Sequence, residues 1–200
     1  MPPLTKRNHE IRAENVSASE VGALLGPHPY TTPEGIYDRL TSPFAPNDAP
    51  SEAMENGTFM EPAIAALATR RLGLRLRANS KTYVHKHVRL AATPDYLVLG
   101  QPPGLVEIKL SGRPEMWPTR GPLPSYVEWQ VRAQMACTGR GTVAVCVLVG
   151  VGLRTFLLER DPELEARMLA AVETFWTDYI VAGIRPVPAD PVPFEMRITK

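Results

Sequence analysis

Thr93-Pro-Asp-Tyr-Leu-Val-Leu-Gly-Gln-Pro-Pro-Gly-Leu-Val-Glu-Ile-Lys109 reads as two short strands around a tight turn. Tyr96–Leu99 is the first strand, Gly-Gln-Pro-Pro-Gly the turn and Leu105–Leu110 the returning partner. Residues two apart on a strand share a face, so Glu107 and Lys109 project together while Ile108 points into the core. Asp95 precedes the first strand, where the hairpin can bring its carboxylate beside Glu107. Two carboxylates and the Ile108 backbone carbonyl are hard oxygen donors of the kind Mg²⁺ takes, with Mn²⁺ as a substitute. Lys109 can then hold or polarise a water and balance phosphate charge. The chemistry that this set supports is metal-assisted phosphodiester hydrolysis. The same triplet is also compatible with an ordinary Glu–Lys pair on a solvated strand face.

Outward from the hairpin, the chain alternates helix and strand signals. Ser17-Ala-Ser-Glu20 has the form of a capping box and predicts a helix through Val21, Leu24 and Leu25 to Gly26. Thr32 is placed to cap a helix beginning at Pro33, and Ser51–Leu72 reads helical with a kink at Pro62. Short strands are expected over Thr82–Val88 and Arg89–Thr93. Ser125-Tyr-Val-Glu128 predicts a second capping box, on a helix that ends at Gly139. Thr142–Val149 is apolar throughout, as in a strand buried on both faces, and Leu153–Glu159 is its partner. Asp161-Pro162 opens a last helix whose buried stripe is Leu164, Met168, Val172, Phe175, Trp176 and Tyr179. The expected architecture is α/β, a mixed central sheet flanked by helices.

Composition narrows the function classes. Two hundred residues with 44% hydrophobic and 22% charged side chains fit one folded domain, expected to span 1–200 with a proline-rich tail over 187–200. The 21 prolines, about twice ordinary usage, gather in loops such as Ser42–Ser51 and Arg113–Ser125. No apolar run has membrane-span length and the start is polar, so the expectation is no membrane and a cytoplasmic address. Cys137 and Cys146 read as buried thiols. A net charge of +1 argues against a protein that coats nucleic acid along its length, but not against a basic face beside an acidic cleft. Lys81, Lys86, Arg89, Arg113 and Arg120 are candidates for tracking a DNA backbone. His85 and His87 are a weak metal candidate, and Trp117, Trp129 and Trp176 are expected to pack.

Several short stretches then occur in a shared order: Arg12-Ala-Glu-Asn-Val-Ser-Ala-Ser19-Glu20, Leu25-Gly-Pro-His-Pro-Tyr30 and Gly57-Thr-Phe-Met-Glu61-Pro62. They continue through Thr93-Pro-Asp95, Glu107-Ile-Lys109, Pro124-Ser-Tyr126 with Gln130 and Met135, and Phe175-Trp176 near Gly183-Ile-Arg-Pro186. In this the chain resembles the phage λ exonuclease and YqaJ-type viral recombinase family of the PD-(D/E)XK nucleases, over about 12–186. It departs from the pattern in a short 26–52 region and in its near-neutral charge.

The resemblance implies a restriction-endonuclease-like core with Asp95, Glu107 and the Ile108 carbonyl as metal ligands and Lys109 as a catalytic residue. It adds Glu61 as a helix-borne acid acting through water or on a second ion, and Gln130 as an active-site glutamine. Arg12 and Ser19 match the family's 5′-phosphate pocket. If Ser17 caps a helix, Ser19 also lies in a first turn that favours anions. The implied activity is a Mg²⁺-dependent 5′→3′ exonuclease on linear double-stranded DNA ends. It would hand 3′ strands to a single-strand annealing protein, with a ring-shaped homotrimer as the implied assembly. A structure-specific or sequence-specific endonuclease on the same core, or a non-catalytic DNA-end-binding protein, are the alternative readings.

Overall fold

The central sheet has the order β2-β5-β6-β7-β8. Its strands are β2 (Arg75–Ala78), β5 (Tyr96–Leu99), β6 (Gly104–Ser111), β7 (Thr142–Val149) and β8 (Gly152–Glu159). The computed structural model describes residues 5–42, 51–119 and 121–187. Neighbouring strands are antiparallel except β6 and β7, which are parallel with Glu107 opposite Val145 and Lys109 opposite Val147. A parallel pair needs a crossover connection, and α4 (Ser125–Thr138) supplies it. A second sheet, β1-β4-β3, is small: β1 (Val16–Ser17) runs parallel to β4 (Leu90–Ala92), and β3 (Tyr83–Val84) antiparallel to it.

Strand alternation divides the core. Val106 and Ile108 face α3 (Glu52–Leu72), where Ile64, Ala65 and Ala68 bury against them with Ala144 and Cys146. Leu105, Val143, Val145 and Val147 face the other way, onto Val127, Val131 and Met135 of α4. Ile108 therefore packs inward, while Glu107 and Lys109 are presented to α4. A third cluster joins Val16, Leu90 and Ala92 of the small sheet to Ile36 of α2 (Pro33–Thr41). It also takes in Met168, Val172 and Phe175 of α5 (Pro162–Phe175).

Several local expectations hold in detail. Thr32 Oγ1 accepts the Gly35 N–H at 3.2 Å, and Asp161 accepts from Glu163 and Leu164 at 3.0 Å each. Gly139 ends α4 in the left-handed region at φ 71°, which a residue without Cβ adopts at little cost. Trp117 lies in the core; Trp129 is partly buried with Arg167 over its ring, and Trp176 stacks under Arg89. Cys137 and Cys146 are free thiols; Cys146 is buried as expected, whereas Cys137 is only partly buried.

Two capping boxes need correction. Ser17 ends β1 instead of starting an α-helix: Val16 and Ser17 pair with Leu90 and Ala91, and only a four-residue 3₁₀ turn, Val21–Leu24, follows. Strand pairing outweighs the local signal, although Glu20 still accepts the Ser17 N–H at 3.1 Å. At α4 the N-cap is Pro124, and Glu128 is taken by Arg132 at 2.7 Å instead of reaching back to Ser125. The last helix also changes pitch, with Trp176 and Tyr179 lying in a π-helical segment over Trp176–Val181.

Helix α1 (Lys6–Ala13) is an addition to the sequence reading. It has no apolar stripe; its one buried residue is Asn8, whose side chain donates to the Ser80 carbonyl at 2.7 Å. Among the described residues no helix is long and apolar enough to cross a membrane. Arg120, most of the 42–51 loop and residues 188–200 of the expected tail lie outside the described residues.

Candidate active site

The β5–β6 hairpin sets Tyr96 against Val106, which carries Asp95 opposite Glu107. Asp95 Oδ2 accepts the Ile108 N–H at 2.8 Å, locking the carboxylate over the strand between Glu107 and Lys109. Glu107 is only 2% exposed. Its Oε1 meets Lys109 Nζ at 2.7 Å and Gln130 Nε2 at 2.6 Å, and its Oε2 accepts from Gln134 Nε2 at 2.7 Å. Gln130 Oε1 in turn accepts from Lys109 Nζ at 3.1 Å. The lysine can only donate and the carboxylate only accept, so the amide must turn its oxygen to one and its nitrogen to the other. Lys109, Gln130 and Glu107 close into a triangle with one available orientation.

Electrostatics follow from burial and from neighbouring charges. Burial and then the Glu107 charge hold the Asp95 carboxyl well above the ordinary aspartate range. Lys109 and the Ile108 N–H oppose that shift, and Glu61 adds to it. Burial would lower the Lys109 ammonium, but Glu107 and Asp95 outweigh it and hold it above the usual lysine value. Three acids and one lysine leave a local surplus of negative charge. Hard oxygen donors carrying such a surplus fit a divalent cation, which relieves the repulsion that pushes Asp95 toward its neutral form. Among the described residues no three His, Cys, Asp or Glu side chains cluster closely enough to hold an ion by themselves. The protein donors at this point are the Asp95–Glu107 pair and backbone.

Arg12 and Ser19 come from a different part of the chain, yet they line the same cavity of about 200 Å³ as Asp95, Glu107, Lys109, Gln130 and Gln134. Arg39 of α2 fixes their segment. Its guanidinium grips Glu20 with Nε and Nη2 at 2.7 Å each and donates to the Arg12 and Asn15 carbonyls at 2.7 and 3.1 Å. Burial lowers the Arg12 guanidinium somewhat, with Glu20 pulling the other way. The helix N-terminus expected at Ser19 is absent, so an anion here would meet side chains and not a helix dipole.

Glu61 sits apart from this cavity. It is buried on α3, bonds the Tyr96 hydroxyl and acts on Asp95 through its charge. Gln134 and Arg39 are the residues that sequence reasoning missed. Gln134 lies four residues after Gln130, hence on the same helical face, and that spacing is a legible signal. Nothing in the local sequence marks Arg39. His85 is committed elsewhere, its Nδ1 accepting the His87 and Val88 N–H groups at 3.4 and 3.2 Å. Lys81 and Arg89 stand over the rings of Tyr83 and Trp176.

The family match and the structural neighbours make this mixed-sheet fold that of a DNA nuclease. The YqaJ-like viral recombinase domain matches residues 8–141, and the chain belongs to that family of divalent-metal-dependent nucleases. Among solved structures it is similar to an alkaline exonuclease (LHK-Exo) from Laribacter hongkongensis. The identity is 25% and the TM-score 0.73, over 89% of this chain and 94% of that one. The same exonuclease in complex with dAMP matches with 23% identity and a TM-score of 0.74 over the same shares. A phage-related exonuclease from Haemophilus somnus shares the fold at 12% identity and a TM-score of 0.62, over 84% and 96% of the two chains. No curated protein matches the chain.

Proposed function

We propose that the protein is a Mg²⁺-dependent exonuclease that digests the 5′-ended strand of linear duplex DNA and leaves a 3′ strand for a single-strand annealing protein. The observation that carries this reading is the single cavity in which Arg12 and Ser19 face Asp95, Glu107 and Lys109. Similarity to the Laribacter exonuclease supports the exonucleolytic mode.

Asp95, Glu107 and the Ile108 carbonyl would hold the cation. A divalent ion there supplies positive charge for a phosphodiester oxygen and for a water's acidity. Gln130 and Gln134 orient Glu107 by donating to its two oxygens. Lys109 stays protonated beside two carboxylates, so its Nζ donates to the attacking water or to the phosphate and does not act as a base. Arg12 offers a fork of donors matched to a terminal phosphate, with the Ser19 hydroxyl alongside. Glu61 acts at one remove, adding charge behind Asp95. A homotrimeric ring is the assembly that would keep such an enzyme on its substrate.

The test is digestion of a linear duplex labelled separately at its 5′ and 3′ ends, with covalently closed circles as control. Early release of 5′ label with circles untouched is expected. Discrete fragments cut from circles would favour an endonuclease, and binding without cleavage in Mg²⁺ or Mn²⁺ would favour an end-binding protein.

A further inference from the structure

Beside the cavity that holds Glu107 stands an aromatic cluster which the hydrolytic set does not use. Tyr126 precedes Gln130 by four residues and Gln134 by eight, so all three lie on one stripe of α4. The two amides hold Glu107, and Tyr126 stands one turn, about 6 Å, further toward the helix start. Its ring meets His28 at 5.2 Å between centroids and Tyr30 at 5.8 Å, both edge-on, and its hydroxyl bonds that of Tyr30.

The cluster is tied to the phosphate side of the cavity as well. His28 Nε2 bonds the Ser19 carbonyl at 3.0 Å, and the Tyr30 N–H donates to His28 Nδ1 at 3.2 Å. Gly22 lets the two segments approach: a Cβ there would sit 3.0 Å from the Tyr126 Cα and 3.3 Å from the His28 ring. Lys109 lies within electrostatic range of Tyr126 on the inner side. On the outer side Tyr30 is 72% exposed, and a cleft of about 460 Å³ opens between Pro27, His28, Pro29, Met116, Pro124 and Tyr126.

An exposed tyrosine of this size, held by a tyrosine one helical turn from Gln130 and by a histidine bonded to the Ser19 carbonyl, is a surface for a flat π-system. We propose that His28, Tyr30 and Tyr126 form a stacking subsite for the nucleobase at the end of the strand being digested. The assignment rests on the Asp95–Glu107 cavity being the site of strand hydrolysis. Every base has a π-face, so the subsite accepts all four bases while requiring that a base be present. Burial and Tyr30 push the Tyr126 hydroxyl up to about 12, so this ring stays neutral beside the phosphates.

The test uses a 5′-phosphorylated duplex whose terminal nucleotide is 2-aminopurine, titrated with the full-length protein in a chelator so that no turnover occurs. Quenching of the fluorophore is expected for the wild type, and Tyr30→Ala should weaken binding roughly five- to a hundredfold and remove the quenching. Tyr126→Phe keeps the ring and should retain quenching. A kinetic arm compares normal and abasic terminal nucleotides: the wild type should slow on the abasic end by a similar factor, while Tyr30→Ala digests both at one rate. Wild-type quenching in Tyr30→Ala, or a wild-type enzyme indifferent to the abasic end, would overturn the subsite. Quenching that depends on Tyr30 in a protein that cleaves no end would uphold the subsite and remove the hydrolytic reading instead.

Discussion

Glu107 receives hydrogen bonds from two amides and an ammonium, so each donor can be removed singly while the others hold it in place. Gln134 is 1% exposed, and its amide donates to Glu107 Oε2. Gln134→Leu should therefore lower the cleavage rate about tenfold to a hundredfold, the effect of one lost hydrogen bond to a charged group. DNA affinity measured in chelator should stay unchanged; a matching loss of affinity would make Gln134 a binding residue instead. Asp95 supports a prediction of opposite signs. Its raised pKa means that the folded chain binds the proton more tightly than the unfolded chain does. Without an ion, folding stability must therefore fall as pH climbs from the ordinary aspartate range, near about 4, through the raised folded value. A cation needs the ionised form, so its affinity should rise over that same interval. Asp95→Asn keeps an acceptor for the Ile108 N–H and removes the charge. Cleavage should drop more than a hundredfold, since the ion loses a ligand, while the melting temperature in chelator at pH 8 rises by a few degrees, at about 2–4 °C per kcal/mol. A lowered melting temperature would contradict the charge surplus described for the site.

At the scale of elements, the segment from α1 through the Val21–Leu24 turn is held by Arg39 more than by its own secondary structure. Arg39→Ala would leave the Glu20 carboxylate, which is 18% exposed, without its guanidinium partner and free two backbone carbonyls. A loss of about 2–3 kcal/mol is expected in denaturant unfolding, together with a weakened preference for phosphorylated ends as Arg12 shifts. An intact preference at reduced stability would show that Arg12 is positioned by other contacts. The same segment marks where the sequence stopped being legible. Helix α1 buries an asparagine and no apolar stripe, so periodicity had nothing to report. Ser17 carries a capping signal that strand pairing with Ala91 overrides, a partner 74 positions away that no local window contains. By contrast, the β5–β6 hairpin could be read directly because its turn, its alternation and its acids sit within one short stretch. Gln130 entered through family resemblance, whereas Gln134 required only the helical repeat.

Across the whole molecule, the central sheet separates support from chemistry: α3 seals the face of Val106 and Ile108, while α4 supplies amides to the face of Glu107 and Lys109. The small sheet and α2 bring Arg12 and Ser19 to that same face, into one cavity with Asp95, Glu107 and Lys109. On the proposed function this shared placement is the central claim: a 5′-phosphate on the strand end should speed its cleavage. The most direct measurement is the initial rate of digestion on matched duplexes with 5′-phosphate or 5′-hydroxyl ends, for the wild type and for Arg12→Ala. The wild type should prefer the phosphorylated end by roughly ten- to a hundredfold, and Arg12→Ala should lose most of that preference while retaining its cation affinity. Equal wild-type rates on both ends would contradict the account, detaching Arg12 and Ser19 from the site and removing the physical basis for 5′→3′ polarity.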